Sequence, residues 1–230
     1  MNEPHRPRGS FDTELNRLQQ MLLDMAGRAE ELVRMAMDGL TERDPLVPLR
    51  VRRADDRLNA LEVELDERVL ELLALQQPIA SDLRLVFVAL KASNDIERIG
   101  DHAVNIANAS ERMTRYPPMP DILEIAEISG QVRQMMRKAL DAMVNRDAET
   151  AREVIAEDAR VDDLRWSAFR IIVSYMLEQP RYIGPGLELI LVVQNLERIG
   201  DLTTNIAEDV VFLVEGTSIK HAASKAAGSA

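Results

Sequence analysis

Apolar residues recur three and four positions apart along most of the chain, the spacing that places them on one face of an α-helix. From Phe11 onward, Leu15, Leu18, Leu22, Met25, Ala29, Leu32, Met35, Ala36 and Leu40 keep this rhythm. TERDP, with Asp44 before Pro45, interrupts it. Val51, Leu58, Leu61, Leu65, Val69 and Leu72 predict a second helix over about 48–75. QQP ends that helix, because Pro78 disfavours helical geometry at the residue before it. Ser81 is a predicted N-cap for a third helix over about 82–113, and YPPMP stops it. The same plan then recurs: a helix over about 121–143, a turn at NRD (145–147), and a long helix over 148–178. An EQP break echoes QQP, and RYIGPG leads into a last helix over about 185–214.

The pattern predicts an all-α fold of six long helices, arranged as two homologous antiparallel three-helix bundles. Each helix of roughly 25–32 residues would span about 40–45 Å at about 1.5 Å per residue. Short connections between long helices favour antiparallel neighbours. Residues 1–10, polar and basic with two prolines, read as a flexible arm. Residues 11–115 form the first repeat, 116–120 a linker, and 121–215 the second repeat. Residues 216–230 are small, polar and slightly basic, and read as a disordered tail.

Composition narrows the function. There is no Cys, which excludes disulfides, thiolate metal sites, Fe–S clusters and cysteine nucleophiles. Only three His are present, few for a histidine-based zinc site. Aromatics are 3% of residues, so the core rests on Leu, Ile, Val, Ala and Met, which suits helices. The formal charge is −11, which argues against nucleic acid and anionic lipid as partners. The polar first ten residues predict no signal peptide. No uncharged apolar run approaches a membrane span. A cytoplasmic protein is expected.

One phrase is written twice. ERIGDHAVNIA at 97–107 returns as ERIGDLTTNIA at 197–207, agreeing at eight of eleven positions. On a helix, Ile96, Ile99, Ala103 and Ile106 line one face, as do Leu196, Ile199, Thr203 and Ile206. Beside them, Glu97, Asp101 and Asn105 form an acidic stripe, matched by Glu197, Asp201 and Asn205 and prolonged by Glu208. Carboxylates four residues apart repel, so a cation or a basic side chain is expected nearby. The second helix of each unit offers further oxygens. Asp55, Asn59 and Glu62 lie within DDRLNALE, and Asp158 and Asp162 fill the matching places, with Arg165 where Glu62 stood. Such oxygen ligands suit Mg, Ca, Mn or Fe. The Glu-x-x-His pairs of diiron bundles are absent, so redox catalysis is poorly supported. Gly100 and Gly200 cost about 1 kcal/mol each against Ala in mid-helix, which argues for close approach of a neighbour.

Other features carry less. His102, beside the motif, reads as surface or packing rather than ligand. Trp166 in LRWSAF is expected in the core. GPG at 184–186 lacks the Lys and Ser/Thr of a nucleotide loop. No Ser–His–Asp arrangement is found, and the chain is not expected to be an enzyme.

Taken together, ALEVELDERV (60–69), QQPIASDLRLV (76–86), NDIERIGDHAVNIA (94–107), RVDDLRWSAFRIIVSYMLEQPRYI (160–183) and NLERIGDLTTNIAEDVVFLVEG (195–216) closely resemble the PhoU family of bacterial phosphate-signalling proteins. The resemblance covers about residues 10–215. It implies two spectrin-like three-helix bundles and a negative regulator of the phosphate regulon and of high-affinity phosphate import. It also implies contact with a PhoR-type histidine kinase and with the ATPase subunit of the phosphate ABC transporter, and in some members a homodimer. Some members bind iron, zinc, manganese or magnesium at acidic motifs. Carried over, these are Glu97 with Asp101 and Glu197 with Asp201, flanked by Asp55, Asn59, Asp158 and Asp162. Arg165 departs from the acid at Glu62, so the halves need not bind metal equally. Two alternatives stay open: a metal-binding paralogue serving another transport or stress response, and a carboxylate-bundle metalloenzyme.

Overall fold

The computed structural model describes residues 8–76, 78 and 80–219. Six α-helices carry the chain: α1 (Arg8–Glu42), α2 (Val47–Gln76), α3 (Ala80–Met113), α4 (Leu123–Asn145), α5 (Ala148–Glu178) and α6 (Ile183–Glu215). A 3₁₀ turn at Pro180–Tyr182 precedes α6. No strand occurs among the described residues. Helices α1–α3 pack on one another, as do α4–α6. The two bundles join along α3 and α6, with a lesser contact between α1 and α4. Across the main seam Lys91 pairs with Asp209, His102 with Asn195, and Arg112 with Glu188. The first partner advances along α3 as the second retreats along α6, so the two helices run antiparallel.

The apolar stripes read from the sequence are the core. Leu22, Met25, Leu32, Leu58, Leu65, Ile96, Ile99 and Ile106 are almost wholly buried in the first bundle, and Ile128, Met135, Ile172 and Leu196 in the second. Met35, Leu40 and Leu61, at the margins of their stripes, are only partly buried. At the lesser contact, Glu30 of α1 holds Arg133 and Arg137 of α4. The guanidinium of Arg137 comes first in holding the Glu30 carboxyl below its ordinary range.

The turns show why the helices stop where they do. Arg43 and Arg146 both adopt positive φ, 54° and 52°, just past α1 and α4. This left-handed residue is the usual way to close a helix, here without glycine. An aspartate follows each. Asp147 accepts hydrogen bonds from the backbone N–H of Glu149 and Thr150 and caps α5. Asp44 accepts one from Leu46 N–H at 2.9 Å. Arg43 also donates to the carbonyls of Met113 at 2.7 Å and Tyr116 at 2.6 Å, tying the first turn to the end of α3.

Several boundaries differ from expectation. α1 begins at Arg8, inside the expected arm. α3 begins at Ala80, so Ser81 lies in its first turn rather than at its cap. The Ser81 side chain, residues 1–7 of the arm and residues 220–230 of the tail lie outside the described residues. α4 starts at Leu123, because Ile122 stays extended (φ −115°, ψ 101°) while its side chain is buried. α6 starts at Ile183, two residues before the expected 185, so GPG lies in its first turn. Pro185 lacks only an N–H that has no intrahelical acceptor there. Gly184 lies against the Tyr116 ring, and a Cβ on Gly186 would meet Met176 Cγ at 2.8 Å. Trp166, expected in the core, is 53% exposed. The buried stripe of α5 runs through Val154, Val161, Ala168 and Ile172. Position 166 lies two residues from Ala168, about 200° around the helix, and so faces outward.

Candidate functional site

Each bundle brings an acidic stripe from its third helix beside oxygens from its second. In the first bundle, Asp55, Asn59 and Glu62 of α2 face Glu97 and Asp101 of α3. Gly100 makes this approach feasible. A Cβ there would meet Leu58 Cδ2 at 2.6 Å and Asp55 Oδ1 at 2.7 Å, so only glycine admits the Asp55 carboxylate at this depth. Asp55 is 8% exposed. Asn59 Nδ2 donates to Asp55 Oδ2 at 3.3 Å. Asp55 Oδ1 and Asn59 Oδ1 are buried and accept no hydrogen bond. Buried oxygens without a donor are costly, and either a proton or a cation relieves the cost.

The electrostatics agree. Burial pushes the Glu97 carboxyl up to about 7, with Asp101, Glu62 and Asp55 adding repulsion and Arg98 opposing. Burial likewise raises Asp55, helped by Asp101 and opposed by its hydrogen bond from Asn59. Glu62 is raised by burial and by Asp66 and Asp101, against a hydrogen bond from Asn94. Arg98 turns away towards Asp95, 3.7 Å distant. Four carboxylates thus share a site with little positive charge.

In the second bundle Asp158 and Asp162 of α5 meet Glu197 and Asp201 of α6. Burial pushes Asp158 up to about 6, with Asp201 and Asp162 adding and the Thr204 hydroxyl opposing. Two guanidiniums enter here. Arg165 Nε stands 3.5 Å from Asp162 and 3.8 Å from Glu197. Arg198 stands 3.7 Å from Glu197 and donates to Asp201 at 3.0 Å. Glu197 is raised by burial and Asp201, but both arginines oppose the rise. The approach at Gly200 is looser: a Cβ there would meet Asp158 Oδ1 at 3.4 Å.

All nine candidate ligands therefore fall in two clusters, five in the first bundle and four in the second. Among the described residues, no three His, Cys, Asp or Glu side chains stand in an arrangement that could hold a metal ion as they are. The donor set of the first cluster still suits a hard cation, because it offers orphaned buried oxygens. The second does not suit one as well, since Arg165 and Arg198 already supply its positive charge. Asp66 and Asn94 belong to the first cluster and were not singled out from sequence. Asp66 lies four residues beyond Glu62, a spacing that could have flagged it. Asn205 leaves the stripe assigned to it. It lines a cleft with Glu62, Asp66, Lys91 and Asn94, across the seam from its own bundle. His102 is half-buried in the seam, where its Nδ1–H donates to Asn195 Oδ1 at 2.9 Å.

Fold and site define an all-α protein built from a duplicated three-helix unit with one acidic cluster per copy. The PhoU domain model matches the chain twice, at residues 22–110 and 125–210. The chain belongs to the PhoU family. It is 39% identical over 218 residues, 94% of this chain and 85% of the relative, to the phosphate-specific transport system accessory protein PhoU homolog of Pseudomonas putida. The crystal structure of PhoU from Pseudomonas aeruginosa superposes with a TM-score of 0.86 at 39% identity, covering 90% of this chain and all of that one. The phosphate transport system regulatory protein PhoU from Streptococcus pneumoniae gives 0.85 at 26% identity, covering 91% and 99%. No described helix is long and apolar enough to cross a membrane.

Proposed function

We propose that this chain is a cytoplasmic negative regulator of phosphate import and of the phosphate regulon. It acts as an adaptor between the ATPase subunit of a phosphate ABC transporter and a PhoR-type histidine kinase. The observation that carries this reading is the family match in both bundles, with ERIGD intact in each. Relatives that align with most of the chain bear names tied to phosphate-specific transport. The work is regulation by binding, not turnover. Under ample phosphate the protein holds the kinase in its non-phosphorylating state and damps transport.

In this reading the first cluster is the cation site. Asp55, Glu97 and Asp101 supply carboxylates, with Asn59 and Glu62 as further oxygens, and magnesium, manganese, iron or zinc is the ion. The cation would cancel repulsion and change the charge that the α2–α3 face offers to a partner. The test is a deletion strain carrying a phosphate-regulon reporter. Constitutive reporter expression and excess phosphate accumulation in high phosphate are expected, with restoration by the wild-type gene. Unchanged reporter and uptake, with no second family member active, would overturn the proposal.

A further inference from the structure

The outer side of α5 is unlike the matching side of α2. A shift of 103 residues aligns Asp55 with Asp158. It then sets Glu62 against Arg165, Val63 against Trp166, Asp66 against Phe169, and Glu67 against Arg170. Over nine residues, EVELDERVL carries four acids and one arginine, whereas RWSAFRIIV carries two arginines and no acid. The structure gathers these changes into one patch. Arg165 lies over the Trp166 ring, 4.7 Å from its centroid, and Phe169 meets Trp166 edge-on at 6.1 Å. Trp166 is 53% exposed, Phe169 39%, and Leu177, farther along the helix, 82%. Beside them Arg165, Gln194, Asn195, Glu197 and Arg198 line a groove between α5 and α6. Arg170, one turn beyond Trp166 on the same side of α5, is exposed and has no acidic partner among the described residues. An exposed Trp–Phe pair with Arg165 stacked on it and Arg170 beside it is an exception on a chain of net charge −11. Trp and Arg are also the residues that dominate binding energy at interfaces.

We infer that the Trp166–Phe169–Arg170 face of α5 is a protein-docking surface, whose occupant is a partner helix with an apolar ridge edged by carboxylates. The ridge covers Trp166 and Phe169. A carboxylate on its edge pairs with Arg170, which has no acidic partner among the described residues. A lipid surface fits less well, because a continuous sheet of anionic headgroups would also cover the exposed Asp162, Asp163 and Glu178 of the same helix, whereas a helix can set a carboxylate against Arg170 alone. The first bundle offers Val63, Asp66 and Glu67 at the equivalent places, so it cannot take the same occupant. The molecule therefore has two chemically distinct faces in equivalent positions, as an adaptor between two partners requires.

The inference rests on the adaptor reading, and one experiment separates the two. Trp166 is the sole tryptophan, so its emission reports on this face alone. The cytoplasmic region of the kinase and the transporter ATPase subunit are each titrated into the full chain, and affinities are measured by calorimetry. A saturable blue shift is expected with one of the two proteins. Its affinity should fall about tenfold or more in Phe169→Ala, Trp166→Ala and Arg170→Glu, as hot-spot residues do. Val63→Ala and Leu70→Ala on the first bundle should bind that protein as the wild type does, with circular dichroism confirming that every variant is helical. Binding left unchanged by all three α5 substitutions overturns the docking surface while the adaptor reading stands. Failure of the wild type to bind either protein overturns both. An emission shift on phosphatidylglycerol vesicles, with none on either protein, assigns the face to lipid and overturns the inference.

Discussion

ERIGD on α3 and ERIGD on α6 are the same five letters in opposite electrostatic settings. In the first bundle Glu97 and Asp101 meet Asp55 and Glu62, and Arg98 looks away to Asp95. In the second, Glu197 and Asp201 meet Arg165 and Arg198. Two changes convert an acidic site awaiting positive charge into one that supplies its own: Arg165 stands where Glu62 stood, and Arg198 turns inward where Arg98 turns to Asp95, whose counterpart is Asn195. The glycines differ in step. Gly100 is pressed by Leu58 and Asp55, while Gly200 has ordinary contacts. A repeated motif therefore does not carry a repeated function by itself. What faces it decides.

The glycines give the largest expected contrast. Gly100→Ala should destabilise the protein, since overpacking costs about 1–3 kcal/mol and outweighs the helix-propensity gain of about 1 kcal/mol. Gly200→Ala should be neutral or stabilising by up to about 1 kcal/mol, because its new methyl finds room. Urea unfolding of the two variants would show the gap. Equal midpoints would mean that the two approaches are not different after all.

Metal titration sharpens the same contrast. On chelator-treated protein, Asp101→Asn should weaken manganese or magnesium binding about tenfold or more, and Asp201→Asn should change it little. Arg165→Glu should add a second binding event by restoring the first bundle's donor set in the second. Calorimetric stoichiometry reads all three. Two equal sites in the wild type, or no loss in Asp101→Asn, would end the assignment.

Acidity gives a smaller effect. Glu97 has a folded-state pKa of about 7, above the ordinary glutamate value near 4.5, so the folded chain holds that proton more tightly than the unfolded one. The stability this provides is fully present below the ordinary value and is lost as pH rises through about 7. In metal-free protein the unfolding midpoint should fall between pH 5 and 8, and Glu97→Gln should flatten that slope. A matching Glu197→Gln should flatten it less, because Arg198 and Arg165 already oppose the rise there. Equal flattening by both variants would count against the arginines as the difference between the clusters.

The smallest contrast lies in the turns. Asp147 accepts from two backbone N–H groups at the start of α5, whereas Asp44 accepts from one. Asp147→Ala should therefore lower the thermal midpoint more than Asp44→Ala. The reverse order would show that the Asp44–Arg50 pair matters more than the backbone cap.

The amino-acid sequence was enough to lay out the six helices, their duplication and the buried stripes. Each follows from local periodicity and from Pro, Asp and Gly at the breaks, which act over a few residues. It also placed Asp55, Glu62, Asp158 and Asp162 beside the two ERIGD blocks, because helical spacing and the repeat offset leave few other registers. Where charge is balanced and where it is not came from the packing. That Arg98 turns to Asp95 while Arg198 turns to its own cluster depends on side-chain direction, which spacing does not specify. That Asn205 crosses to the other bundle's cleft depends on the α3–α6 seam. Trp166 faces solvent because the buried stripe of α5 passes through Ala168 and Ile172, and hydrophobicity alone could not choose between the two sides of a helix rich in apolar residues. Charges and exposed aromatics act across space rather than along the chain, so their meaning waited for the packing.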